Sequence, residues 1–512
     1  MRKLALAAVV ALVVGIGHVH ADIEPDRLLE HIKFLASDDL RGRGNGTDGL
    51  ERAADYIART FKDAGLEPGG KDGTWFQPFE LIAGLSVGRD NQLTIEHKGR
   101  RVSLTLGSTY YPLAARANED VNVASAKLDA LPLVFAGYGL VVPGAAGYDD
   151  YAQVDVKNKA VLIFSHEPQE RDSNSRLNGA RPMPQTSLAA KAAAARSRGA
   201  RALLVVGDPS HQTDEAEYSL FAADPDAEDV VIPVLRISRT EMKPLLDAWG
   251  LDGLARGIDR DLVPRSTPLA GATVNYVEHL AKNRRTVRNV IAVVPGSDPA
   301  KSKEAIVIGA HYDHVGIGGR LSVTRELTGQ IHNGADDNAS GTAAIMEIGR
   351  TVMQQRARFP RTVVLIAFAG EERGLLGSEH YADAPLVPIE STIAMINLDM
   401  VGRARGGVDV SGLELSPSIE EDLRAAVKAA GNVLEIRRQG PGAGRSDDSS
   451  FIDKRIPAIN FFTGFHPDYH RPSDDWEKID AAGTRQVATL ALELAARLAA
   501  RSDRPEFVPP RR

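Results

Sequence analysis

Thr362-Val363-Val364-Leu365-Ile366-Ala367-Phe368-Ala369-Gly370-Glu371-Glu372 is an apolar run that ends abruptly in two carboxylates. A continuous apolar run without alternation describes a strand buried on both faces, as in a parallel sheet covered by helices. The pattern recurs on both sides of this stretch. Ala305–Ala310 runs into His311-Tyr312-Asp313, Ile393–Leu398 into Asp399, and Ala458–Thr463 into a loop that reaches Tyr469-His470. Asn289–Val294 reads as a further strand. Ser340–Gln355, Gly374–Ala382, Ser418–Ala430 and Thr484–Ala500 read as the intervening helices. This alternation predicts an α/β fold over residues 273–500, with a mostly parallel central sheet flanked by helices.

Outward from that region the texture changes. Residues 22–118 open with two amphipathic helices. Asp26 is the expected cap of the first, and Asp48 with Glu51 forms the expected capping box of the second. Residues 119–272 carry short apolar strands at Leu133–Phe135, Ala160–Phe164, Ala202–Val206 and Ile232–Ile237, with an Ala-rich helix at Ser187–Arg198. They read as a smaller inserted α/β domain. The Pro- and Arg-rich stretch 501–512 reads as a loose tail. At the other end, Arg2 and Lys3 precede the apolar run Leu4–Gly17 and then Val19-His20-Ala21. The expectation is a signal peptide over residues 1–21 and export to the periplasm or the cell exterior, with no stable membrane anchor, because the run is short for a span.

Composition removes several kinds of chemistry. The 512 residues include no cysteine, so disulfides, thiolate metal sites and cysteine nucleophiles are excluded. A net charge of −7 offers no basic surface for nucleic acid.

In open parallel sheets, sites gather at the C-terminal ends of the strands. Here each apolar strand delivers an ionisable group to that edge. The loop Gly334-Ala335-Asp336-Asp337-Asn338 adds carboxylates just before the helix at Ser340. Carboxylates converging in a cleft are costly to desolvate without cations, and two divalent ions would remove that cost. Imidazole with carboxylate suits zinc best, with manganese or cobalt as substitutes.

The motifs Gly309-Ala310-His311-Tyr312-Asp313, Gly334 to Gly341, Ala369 to Ser378, Asn397-Leu398-Asp399-Met400 and Tyr469-His470 together resemble the co-catalytic two-zinc aminopeptidase family, whose relatives include glutamate carboxypeptidase. The likeness covers residues 22–118 and 273–500. Phe135-Ala136-Gly137-Tyr138-Gly139, the run from Asp155 to Ile163 and the later run Lys191–Val206 resemble the protease-associated domain inserted in many members. The resemblance implies the zinc aminopeptidase fold and two zinc ions per chain. His311, Asp337 and Asp399 would hold one ion. Asp337, Glu372 and His470 would hold the other, with Asp337 and a water bridging the two. It further implies Glu371 as the general base, Tyr469 as donor to the oxyanion, and Asp313 as the group that orients the His311 imidazole. A cis peptide is expected just after Asp337. The implied substrate is a peptide.

Other groups read more plainly. Asp336 shapes its loop. His314, His332 and His380 read as structural or surface groups, and His466 likewise, with lining of the pocket as its alternative. Asp474-Asp475 reads as the cap of a turn before Trp476. Arg445-Ser446-Asp447-Asp448 stands where many relatives have histidine in place of Asp448, which leaves the pocket's chemistry open. A substrate α-amine could be met by Glu371 and Asp399, which favours an aminopeptidase. Arg403, Arg405 and Arg445 would serve a carboxypeptidase, the alternative together with a dipeptidase. A non-catalytic receptor-like binding protein on the same fold is the reading from another class.

Overall fold

The structure is a computed structural model and describes residues 22–87, 90–112, 126–144, 147–177, 183–210, 232–318, 322–323, 327, 329–440 and 446–509. The expected signal peptide, the 118/119 boundary and Arg445 lie outside the described residues. The chain falls into two compact units. One comprises the chain up to Phe79 and from Val287 onward, and the other comprises Glu80–Thr286.

In the first unit the central strands lie in the order 287–294 (the end of the strand Leu280–Val294), Thr362–Phe368, Ala305–His311, Thr392–Leu398, Ala458–Phe462, Gly407–Ser411, Glu435–Arg438. The four from Thr362–Phe368 to Ala458–Phe462 run parallel. Leu280–Val294 on one side and Gly407–Ser411 on the other pair antiparallel to them. Every residue of Ala305–His311, Thr362–Phe368 and Thr392–Leu398 is buried, which is why these strands read as unbroken apolar runs. From Ala305–His311 the chain moves to Thr362–Phe368 on one side and then returns to Thr392–Leu398 on the other. That reversal opens a crevice at the C-terminal ends of the strands.

The helix Gly341–Gln354 begins later than expected, because Ala335–Ser340 forms a separate wide turn. The two N-terminal helices occupy Pro25–Leu35 and Asp48–Asp63, but their starts differ from expectation. Pro25 opens the first, with its fixed φ suited to a first turn. Thr47, not Asp48, caps the second by accepting from Leu50 N. The tail read as loose is tied down as far as Val508. Arg501 donates to Ser418 O, Arg504 pairs with Glu304, and Val508 N donates to Leu415 O.

In the second unit Ala126–Phe135, Ala160–Phe164, Ala202–Val206 and Val234–Ile237 form a parallel set. The hairpin Gln92–His97 with Arg100–Leu104 joins it through Thr267–Glu278. This sheet therefore takes in residues on both sides of 119–272. Ser187 and Ser238 cap the helices Leu188–Ser197 and Arg239–Trp249. Buried Asp150 accepts from Tyr138 N, Leu140 N and Tyr148 Oη, fixing the turn after Phe135.

Candidate metal centre

The crevice at the strand ends of the first unit is lined by His311, Asp337, Glu371, Glu372, Asp399 and His470. Met400, Phe462, Phe465 and Tyr469 supply its apolar wall. All the residues singled out as metal-binding thus reach one place, together with the expected base and oxyanion donor.

The imidazole and carboxylate atoms form two groups that meet at Asp337. His311 Nε2 lies 3.3 Å from Asp337 Oδ1 and 3.3 Å from Asp399 Oδ1. His470 Nε2 lies 3.2 Å from Asp337 Oδ2 and 3.2 Å from Glu372 Oε2. Asp337 therefore turns one oxygen toward each histidine. Bonds of about 2 Å from a tetrahedral zinc to nitrogen and oxygen place neighbouring ligand atoms about 3.3 Å apart. The donor set and its spacing fit a pair of divalent cations. Glu371 stands slightly back, with Oε2 3.9 Å from His311 Nε2.

Electrostatics show how strongly these groups depend on one another. Burial raises the Glu371 carboxyl well above the usual range, and Glu372, Asp399 and Asp447 push it in the same direction. Burial opposes charge on His470, but Glu372 and Asp337 override it and bring the imidazole to about 11. Asp447 and Asp448 are pushed up to about 7 and about 8, mainly by burial. Burial also holds the Tyr469 phenol well above its ordinary value, with Asp337 and Glu372 acting in the same sense.

Each site loop is fixed by contacts distant in sequence. Asp474 Oδ2 accepts from the backbone N of Asp336 at 2.9 Å and of Asp337 at 3.1 Å. Asn338 Oδ1 accepts from Gly341 N and Met400 N, and its Nδ2 donates to Leu398 O. This side chain binds the Asp337 loop to the strand end that presents Asp399. The peptide between Asp337 and Asn338 is cis. Fully buried Arg43 donates to Tyr312 O, Asn333 O and Gly334 O, clamping two of the loops from the N-terminal segment.

Several expected roles shift. The Asp313 carboxylate does not hold the His311 ring. Its Oδ1 lies 3.9 Å from His311 Nδ1, which instead faces the Asp313 backbone O at 3.2 Å. The carboxylate accepts from Glu371 N at 3.1 Å, Glu372 N at 3.3 Å and Asn45 Nδ2 at 2.6 Å. Asp313 thus shapes the turn that carries the two glutamates. Asp474, expected before Trp476 as a cap, caps the Asp337 loop instead. Arg403 is buried and paired with Asp468 at 3.1 Å and Asp474 at 2.9 Å, so its charge is already taken. Arg405 is exposed. Asp336 shapes its loop as expected, accepting from Gly402 N, and His466 Nε2 lies 3.1 Å from it. His314, read as structural or surface, is fully buried against Glu372, with Nδ1 2.8 Å from Oε1. The repeat of histidine three residues after His311, in a loop leaving a buried strand, is the sequence signal that could have marked it.

Comparison with known proteins agrees with this geometry. Residues 289–495 match the family model of peptidase family M28, and residues 130–245 match that of the PA domain. These stretches mark an M28 peptidase region and a PA-domain region in the chain. It is 26% identical over 256 residues to leupeptin-inactivating enzyme 1 of Streptomyces exfoliatus, covering 49% of this chain and 53% of that protein. It is 29% identical over 221 residues to aminopeptidase YwaD of Bacillus subtilis, covering 41% of this chain and 44% of that protein. The chain spans about half the length of these curated relatives. The solved aminopeptidase from Aneurinibacillus sp. strain AM-1 shares the fold, with a TM-score of 0.55 at 24% identity over 96% of this chain and 97% of that one. Among the described residues, no helix of this chain is long and apolar enough to cross a membrane.

Proposed function

We propose that this chain is an exported two-zinc aminopeptidase that removes N-terminal residues from peptides. The observation that carries the reading is the sharing of Asp337 between two imidazole–carboxylate groups, its oxygens 3.3 Å from His311 and 3.2 Å from His470. His311, Asp337 and Asp399 would hold one ion, and Asp337, Glu372 and His470 the other. Bound there, the ions supply positive charge that acidifies the attacking water and polarises the scissile carbonyl. Glu371 takes the water's proton and delivers it to the leaving amine. Its backbone N is held by Asp313, which fixes the reach of that carboxylate. Tyr469 donates its phenolic proton in a hydrogen bond to the developing oxyanion.

The substrate's end is argued from charge. The cavity wall is acidic and apolar, and among the described residues no arginine or lysine lines it. A protonated α-amine meets Asp399 and Glu371 there, whereas among the described residues a terminal carboxylate meets no arginine or lysine. Met400, Phe462 and Phe465 favour an apolar first side chain. The YwaD and Aneurinibacillus relatives carry the name aminopeptidase, which supports the same reading. Export rests on Arg2, Lys3 and the apolar run Leu4–Gly17.

A free aminoacyl anilide and its N-acetylated counterpart test the assignment. The free substrate should be hydrolysed and lose its turnover with chelator, while the acetylated one should not react. Equal rates on both would rule out an aminopeptidase.

A further inference from the structure

His314 has no part in the mechanism above, yet it is built into the same cluster. It leaves the strand Ala305–His311 three residues after His311, and its backbone N donates to Arg43 O. Its side chain is 0% exposed. Gly334 lies flat against the ring, where a Cβ would come within 2.5 Å of the imidazole Cγ, so the loop that carries Asp337 closes directly over it. Nδ1 is 2.8 Å from Glu372 Oε1 and 3.8 Å from Asp337 Oδ2, and the ring stands edge-on to His470 at 5.4 Å. His314, Asp337, Glu372 and His470 each offer a ligand atom, all within 4.8 Å of one another.

The close pair does not satisfy itself. His314 Nδ1 and Glu372 Oε1 face each other at 2.8 Å, and neither has a hydrogen bond of regular geometry. Two buried polar atoms left this way are costly to the folded state. A cation facing both atoms removes that cost. We propose that His314 is a fourth protein ligand, through Nδ1, of the ion held by Asp337, Glu372 and His470. The inference rests on the two-metal reading and adds an asymmetry to it. Four protein ligands close one position in the manner of a structural site, while the His311–Asp337–Asp399 position, beside Glu371, keeps room for substrate. The first ion is then the tightly held one and the second the exchangeable one.

The test uses the full chain with nitrogen-labelled histidines, stripped and reloaded with NMR-active cadmium. Scalar coupling from cadmium to ring nitrogens of His311, His470 and His314 is expected. Metal titration of wild type and His314→Gln is run beside it. Wild type should bind two ions, and the variant should keep one while its affinity for the other falls by more than about 100-fold, beyond what loss of an outer contact gives. Coupling confined to His311 and His470, or a variant that binds both ions as wild type does, overturns the proposal. Wild type that binds no ion is a separate result, which removes the two-metal reading itself. The cadmium spectrum of wild type needs no substitution, so it decides the matter even if His314→Gln folds poorly.

Discussion

Glu371 sits 3.9 Å from its nearest imidazole nitrogen while Glu372 sits 3.2 Å from His470 and 2.8 Å from His314, a difference that supports the proposed roles of Glu371 as base and Glu372 as ligand. Glu371→Gln should therefore keep both ions and lose about 10²–10⁴-fold in kcat, measured with metal content on the same sample. Loss of an ion along with the activity would make Glu371 a ligand instead. Asp474 acts one step further out, through the backbone of Asp336 and Asp337. Asp474→Asn should weaken metal binding by roughly 10–100-fold at unchanged fold, read by competition with a chromogenic chelator. Unaltered affinity would show that the loop holds its shape without that carboxylate. His311, Glu371, Glu372 and Asp399 were legible because each stands at the end of a buried strand. Their supports were not. Asp474 and Asp337 are joined across 137 positions, and Asn45 and Asp313 across 268, so no local pattern marks either pair.

The helix Gly341–Gln354 follows the Asp337 turn, and its position matters to everything that turn presents. Glu347, on this helix and 0% exposed, pairs with Arg27 at 3.0 Å and with Arg350 at 2.9 Å. His31 Nε2 approaches it at 3.4 Å. Burial alone would raise the Glu347 carboxyl, but His31, Arg27 and Arg350 draw it down to about 2. Its unfolded value is about 4.3, so the stabilisation is complete above that pH and is lost as pH falls toward about 2. Glu347→Gln should cost about 1.5–3 kcal/mol near neutrality, and the gap from wild type should close over that acid range in denaturant titrations. A gap that stays constant with pH would mean the pair's charge is not what stabilises the contact. Strands were the most legible elements. Ala160–Phe164 and Ala202–Val206 stand as expected, because burial on both faces leaves an unbroken apolar run. Gly407–Ser411, short and broken by Asp409, and the edge strand Glu435–Arg438, with its charged Glu435, Arg437 and Arg438, show no such run and are not legible in the sequence.

At the scale of the molecule, the first unit gathers Asp337, Glu371, Glu372, Asp399, Asp447 and Asp313 around one crevice, against the imidazoles of His311, His314 and His470. Ions that bind only the folded state stabilise it by mass action. Stripping them should lower the unfolding temperature, and zinc should restore it in proportion to the logarithm of its free concentration. Unfolding insensitive to chelator would mean that the cluster is stable without cations. The most direct measurement of the central claim is zinc content per chain after dialysis, in wild type and in Asp337→Ala and His311→Ala. The shared-carboxylate centre predicts two ions in wild type, one in His311→Ala and none retained in Asp337→Ala. One ion in wild type, or an Asp337→Ala chain that still holds two, would contradict it.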